Sequence, residues 1–282
     1  MPKSRTYRDV PLSIAHLSEL EVAPADLIEL AARAGFASVG LRTNAASPGG
    51  IEYPLHSLGE QAEMRRRMAA TGVSVLYIEL ISLSEHTKPR DHVAMFETGA
   101  AIGATRLAVA GDSHDFAVVA DKLAGVAELA RGYGIAVDLE FMPFRAVKSL
   151  ADAINVVKRS GALNAHILVD ALHVARSGSP VALLADVAPA ALGTFQLCDA
   201  PAAPPPAAEL VIEARTRRLL PGAGALPIAA MLEALPADIP LGVEVPLAGQ
   251  HPDLTPVERA TRLVKATRAF LEQWSTPCPT RS

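Results

Sequence analysis

The sequence predicts a single (β/α)8 TIM barrel, and three observations carry that prediction. Short apolar, β-branched runs alternate with longer Ala- and Leu-rich runs of helical period, and the pairs recur roughly every 30 to 35 residues, eight times in 282 residues. The strand-like runs are apolar almost throughout, as expected of a parallel sheet covered by helices. No GxGxxG follows the first run, and the glycines of GFASVG stand at the wrong spacing, so a doubly wound dinucleotide fold is not indicated.

The first strand is read at VPLSIAH (10–16), followed by the helix APADLIELAARAG, which has Pro near its start and Gly at its end. The second is ASVGLR (37–42), followed by GEQAEMRRRMAATG. The third and fourth are VSVLYIEL (73–80) and TRLAVA (105–110), the latter followed by AVVADKLAGVAELARGYG. The fifth to eighth are IAVDLEF (135–141), HILVDA (166–171), GTFQLCD (193–199) and LGVEVP (241–246). The last helix, TPVERATRLVKATRAFLEQW, opens with Thr255 as N-cap, Pro256 at the first helical position and Glu258 completing a capping box. Between the seventh and eighth strands, PAAPPPAAE (201–209) is too rich in Pro for regular structure and reads as a rim, a lid or an inert insertion. No motif recurs from unit to unit, so the repeat is one of architecture. The whole of 1–282 is read as this one domain, with 275–282 a disordered tail.

Composition narrows the partners. With 50% hydrophobic and 20% charged residues the chain is too apolar for disorder. A net charge of -4 with scattered Lys and Arg offers no basic stripe for nucleic acid. Two cysteines, Cys198 and Cys278, make no disulfide framework and no CxxC pair. There is no long apolar run for a membrane and no leader-like start, so the expected location is the cytoplasm. Ala-rich helix surfaces (AARAG, AAMLEALPA) permit close helix packing and a homo-oligomer.

In such barrels chemistry sits at the C-terminal ends of the strands. Four ends carry polar groups: Glu140 on the fifth, Asp170 on the sixth, Gln196 and Asp199 on the seventh, Glu244 on the eighth. Apolar neighbours, Leu139 and Phe141 about Glu140 and Val243 and Val245 about Glu244, aim both glutamates inward by the two-residue period. Carboxylates converging on one mouth repel and raise one another's pKa unless a cation holds them, which points to a divalent metal. Glu79 and His16 end the third and first strands at the same mouth.

The order Glu140, Asp170 within VDALH, a residue at the His position of an HxxD strand, and Glu244 resembles the xylose isomerase-like TIM barrels. That superfamily includes ketose 3-epimerases, hydroxypyruvate isomerases, inosose dehydratases, 3-dehydroshikimate dehydratases and the endonuclease IV nucleases. The segments LEFMPF, VDALHVARSG, QLCDAP and ARTRRLLPGAG resemble a subgroup known only as sugar phosphate isomerase/epimerase-like, and the likeness runs from LSIAHLS to VEVP. It implies that Glu140 and Glu244 bind the metal and exchange a substrate proton from opposite faces, with Asp170 a third ligand. Gln196 stands where most members have His. Three carboxylates and an amide oxygen then form an all-oxygen set, which suits Mn²⁺ or Mg²⁺ better than Zn²⁺. The resemblance further implies that His173 faces the substrate, that Arg218 with Arg215 reaches its oxygens, and that Asp199 orients Gln196 or a water from behind. Endonuclease IV is a poor match, because its three-metal cluster needs more histidines.

Each residue also has a plainer reading. Glu140 could be a solvated strand end, Asp170 the N-cap of the next helix, and His173 a packing residue. Arg215, Arg217 and Arg218 could form a solvated loop face, while Arg176 is expected to dock the following loop. Glu244 between valines is hardest to place without a partner, since an unpaired buried carboxylate is costly. The expected function is that of a metal-dependent isomerase or epimerase acting on a small polyhydroxylated carbonyl compound through an enediolate. The alternatives are a dehydratase of the inosose or dehydroshikimate type and a non-catalytic binding subunit.

Overall fold

The eight apolar runs become eight parallel strands. In the computed structural model, which describes residue 7 and residues 9–275, these are β1 (Leu12–Ile14), β2 (Ser38–Arg42), β3 (Ser74–Leu83) and β4 (Arg106–Gly111), then β5 (Ala136–Glu140), β6 (Ala165–Asp170), β7 (Leu192–Leu197) and β8 (Leu241–Val243). They pair in chain order, and β8 closes onto β1 through Leu12–Leu241, Ser13–Gly242 and Ile14–Val243, giving the (β/α)8 barrel. The helices outside are α1 (Pro24–Ala34), α2 (Leu58–Thr71), α3 (Val93–Ala101), α4 (Phe116–Arg131), α5 (Leu150–Ser160) and α6 (Ala171–Arg176). They continue with α7 (Ala182–Ala185), α8 (Leu210–Thr216), α9 (Ile228–Ala234) and α10 (Pro256–Ser275). The expected tail lies outside the described residues save Ser275, which ends α10, and Cys278 lies outside them too.

Strand alternation divides each strand between two environments. Leu107 and Val109 of β4, Val137 and Leu139 of β5 and Phe195 and Leu197 of β7 join the large core between sheet and helices. Residues of the other parity fill the barrel: Tyr77, Ala108, Ala110 and Leu168 form a small inner core with Leu80 and Met142. The remaining inward positions are polar, and they fall in layers. In a lower layer Asp138 accepts from Arg106 Nη1 at 2.7 Å and Thr194 Oγ1 at 2.8 Å. The polar groups of the upper layer make the site described below.

Local chemistry fixes the helix ends. Ser57 and Glu60 form a capping box on α2, Ser149 and Asp152 another on α5. The box read from TPVE is present on α10, where Glu258 Oε2 accepts from Thr255 N at 2.8 Å. Of residues 201–209, expected to be irregular throughout, 201–206 are so, as their prolines require, but Ala207–Glu209 form a 3-10 turn that leads into α8. Among the described residues no helix is long and apolar enough to cross a membrane.

Candidate active site

The C-terminal strand ends bring together the residues expected there. Glu140 closes β5 and Asp170 closes β6, and the register sets Asp170 beside Gln196 of β7. Glu244 differs slightly from expectation. Strand β8 stops at Val243, and Glu244 follows it, its N–H still donating to Leu197 O at 3.0 Å. All four side chains are buried.

Asp170 is the N-cap of the next helix and also one side of a buried ion pair. Oδ1 caps α6 by accepting from His173 N at 3.0 Å, and Oδ2 accepts from Arg218 Nη1 at 2.6 Å. Arg218 also lies 2.9 Å from Glu244 Oε2 through Nη2, and donates to Ala214 O and Cys198 Sγ. Arg218 lines the cleft, but most of its hydrogen-bonding capacity is turned toward the protein. Four of its five N–H donors are committed within the protein, so it braces two acids and has at most one N–H for a substrate.

The expectation for Asp199 is corrected. Its carboxylate accepts from the backbone N–H groups of Ala200, Gly222, Gly224 and Leu226 at 2.8–3.0 Å, and so cannot orient Gln196. Instead it folds the loop that carries Arg218; a Cβ at Gly224 would lie 2.4 Å from its Oδ1, which explains glycine there. Arg176 docks the same region as expected, gripping both oxygens of Glu213 at 2.8 Å and Pro201 O at 2.8 Å.

Gln196 donates through Nε2 to the hydroxyl of Tyr77 at 3.2 Å, while its buried Oε1 has no hydrogen-bond partner among the described residues. His173 lies with Nε2 3.6 Å from Glu140 Oε1, its Nδ1 likewise without a partner. Ligand atoms of Glu140, Asp170 and His173 all fall within 4.8 Å of one another, so the histidine read as substrate-facing also stands where a metal ligand could.

Three further residues escaped the sequence reading or were only loosely placed. Arg42 pairs with Glu79 at 2.9 Å beneath the mouth. Tyr77 fits inside the barrel because Gly40 opposes it: a Cβ there would lie 2.1 Å from the ring. His16 accepts from Arg42 N through Nδ1 at 2.9 Å and faces Val22 O through Nε2 at 2.9 Å, which makes it a structural residue at the rim.

Burial and like charge push Glu140 well above the usual carboxylate range, and burial pushes Glu244 up to about 7 despite Arg218. Burial also opposes ionisation of Asp170, but Arg218 and the His173 contacts outweigh it, and Asp170 falls below its ordinary value. Burial lowers His173 to about 4, leaving it neutral at pH 7. Glu140, His173, Arg218 and Glu244 line one narrow cleft with about 60 Å³ of water-accessible space, together with Met142, Phe144, Arg145 and Arg215. A wider groove of about 610 Å³ lies away from it, between Lys88 and Lys122 on the barrel's flank, and holds none of the acids.

The residues fit a divalent cation. Four buried carboxylates (Glu79, Glu140, Asp170, Glu244) face two buried guanidiniums (Arg42, Arg218), so all four could ionise together only with a further cation beside them. The carboxylate of Glu140 accepts no hydrogen bond from the described residues, and Gln196 Oε1 is an unpartnered acceptor. Arg218 takes only one oxygen each of Asp170 and Glu244. Glu140, Asp170 and His173 have ligand atoms close enough together to share one ion, and Gln196 and Glu244 stand at the same barrel mouth.

The comparisons with known proteins agree with this architecture. A family described as xylose isomerase-like TIM barrel matches residues 28–273. Among solved structures, an IolI protein with a bound zinc atom superposes with a TM-score of 0.77 at 18% identity, over 94% of this chain and 99% of that one. D-psicose 3-epimerase, solved in the presence of D-fructose, gives 0.70 at 15% over 93% and 100%. The probable 3-DHS dehydratase AsbF from Bacillus anthracis gives 0.70 at 13% over 95% and 100%. Identities this low establish the fold alone. No curated protein matches the chain in sequence. With the closed eight-stranded barrel and a family match spanning 28–273, the chain belongs to the xylose isomerase-like TIM barrel family.

Proposed function

We propose that this protein is a divalent-metal-dependent isomerase or epimerase acting on a sugar or related polyhydroxy ketone. The observation that carries the reading is the pair Glu140 and Glu244, both pushed upward by burial at one barrel mouth, Glu244 to about 7, beside an acid and an unpartnered amide oxygen. A carboxylate poised near neutrality is suited to take up and return a proton. The oxygen-rich donor set favours Mn²⁺ or Mg²⁺. When bound, the cation would supply Lewis acidity, stabilising negative charge that builds on the substrate's carbonyl oxygen.

One glutamate removes the proton next to the carbonyl, giving the enediolate. Return of a proton to the same carbon from the other face epimerises; return to the neighbouring carbon isomerises. Arg218 keeps Asp170 and Glu244 fixed during this exchange, and Met142 and Phe144 give the cleft an apolar side. A dehydratase is the second reading, favoured by His173: its neutral imidazole, 3.6 Å from Glu140, can hydrogen-bond a departing β-hydroxyl, while the carboxyl of Glu140, held protonated by burial, supplies the proton that leaves with it.

The test is a screen of ketoses, inososes and dehydroshikimate with Mn²⁺ or Mg²⁺, followed by NMR in D₂O. Deuterium entering the carbon next to the carbonyl supports the reading; a new alkene signal with loss of hydroxyl selects the dehydratase. Protein that binds neither ion and exchanges no proton is a non-catalytic member of its family.

A further inference from the structure

Four arginines line the cleft, and three are neutralised by the protein itself. Arg218 is held by Asp170 and Glu244, Arg42 by Glu79, and Arg145 by Asp112 and Ala46 O. Arg215 is different: it is exposed, lines the same cleft, and has no hydrogen-bond or ion-pair partner among the described residues. Its neighbour Arg217 points elsewhere, to Glu209 at 2.7 Å. Arg215 rides at the end of α8, which Arg176 anchors through Glu213, so its backbone is placed by a buried ion pair. Partial burial and, after it, the like charge of Arg145 and Arg42 work against its positive charge, which an anion beside it would offset. A neutral sugar gives a guanidinium fork nothing that the fork does not find in water; a carboxylate or phosphate gives it two charge-assisted hydrogen bonds.

We infer that the substrate of this site carries an anionic oxyacid group, a carboxylate or a phosphate, which Arg215 receives at the cleft mouth with Arg145 beside it. This rests on the proposed function and narrows its substrate class to sugar acids, polyhydroxy keto acids and sugar phosphates. The polyhydroxylated part then points inward toward Glu140 and Glu244, and the charged end stays at the rim, where it need not be desolvated beside four carboxylates. Specificity follows from that geometry, because an anion bound the other way round would meet the acids.

The experiment measures binding by calorimetry, in Mn²⁺-loaded full-length protein, of gluconate, fructose 6-phosphate and uncharged fructose. The expected result is that at least one charged ligand binds more tightly than fructose, that its affinity falls with added NaCl, and that Arg215→Ala weakens it about ten- to a hundredfold. Binding of fructose should weaken far less than that of the charged ligand in that variant, and Arg217→Ala should behave as the wild type. Whether gluconate or fructose 6-phosphate is preferred names the oxyacid. Equal affinity for all three ligands, or an equal loss for charged and uncharged ligands in Arg215→Ala, overturns the inference. Proton exchange in D₂O is recorded separately: exchange on fructose without charge preference sinks this inference and leaves the proposed function standing, whereas charge preference without exchange does the reverse.

Discussion

Glu140 and Glu244 are asked both to hold a cation and to move a proton, and substitution can separate the two tasks. Glutamine keeps an oxygen that ligates but accepts no proton at neutral pH. Glu140→Gln and Glu244→Gln should each retain Mn²⁺ by calorimetry while proton exchange falls on the order of 10² to 10⁴-fold, the usual worth of a positioned base; near-normal exchange in both would remove them from proton transfer. Gln196 poses a different question, since its Oε1 lacks any donor among the described residues and its Nε2 already serves Tyr77. In Gln196→His an imidazole nitrogen replaces a neutral oxygen, so preference should shift from Mn²⁺ toward Zn²⁺ or Co²⁺ in competition titrations. An unchanged order of affinities would show that Gln196 is no ligand. At this scale the strand-end rule made Glu140, Asp170, Gln196 and Glu244 legible, because polar residues that interrupt apolar strands have few places to go. The partners of Arg218 were not legible: Asp170 is 48 residues away in sequence, and only the closed barrel brings the two together. Tyr77 was hidden for a similar reason, since its space is made by Gly40 on the neighbouring strand.

The elements were legible where hydrophobic period spoke, and less so where polar contacts decide the end. All eight strands lie where the apolar runs placed them, but β1 and β8 are only three residues each, shorter than the runs VPLSIAH and LGVEVP in which they lie. Strand β3 runs on to Leu83, an extension that the apolar ISL segment permits. The short helices α6 to α9 have too few turns for a readable period. The loop between β7 and α9 shows what one side chain can organise. Asp199 satisfies four backbone N–H groups and fastens the turn behind Arg218, and its N–H and C=O pair with Leu219 at 2.9 and 2.7 Å. Asp199→Ala leaves those donors unpaired, and should cost about 2 to 4 kcal/mol in urea unfolding, as expected for several bonds to one charged acceptor. It should also lower Mn²⁺ affinity, because Arg218 then no longer fixes Asp170 and Glu244. A variant with normal stability would mean that the loop holds its shape without that carboxylate.

Taken as a whole, the molecule buries ionisable groups whose proton affinities are displaced in opposite directions, so its stability should respond to pH in a way that single substitutions can dissect. Raised Glu140 and Glu244 bind protons more tightly folded than unfolded and oppose acid unfolding, whereas lowered His16 and His173 promote it. His16 is the clean probe, since it touches none of the proposed ligands. Its Nδ1 faces the N–H of Arg42 and so must accept, while Nε2 faces a carbonyl and so must donate; a second proton would set N–H against N–H. Burial thus lowers it from 6.5 to about 4. A group whose folded pKa is depressed in this way contributes stability that is complete above 6.5 and is lost as pH falls from 6.5 to about 4. The full loss is about 3 kcal/mol, a sizeable fraction of the 5 to 15 kcal/mol typical of folded domains. His16→Asn keeps an acceptor for Arg42 N–H but cannot titrate. It should be less stable than the wild type at pH 7.5, because Val22 O and the stacking on Tyr53 lose a partner. The gap between the two should close by about 3 kcal/mol by pH 4. Urea unfolding of both proteins from pH 7.5 to 4 measures this difference, and contributions of His173, Glu140 and Glu244 drop out because both proteins share them. Parallel stability curves would show that His16 does not hold a depressed pKa in the folded barrel.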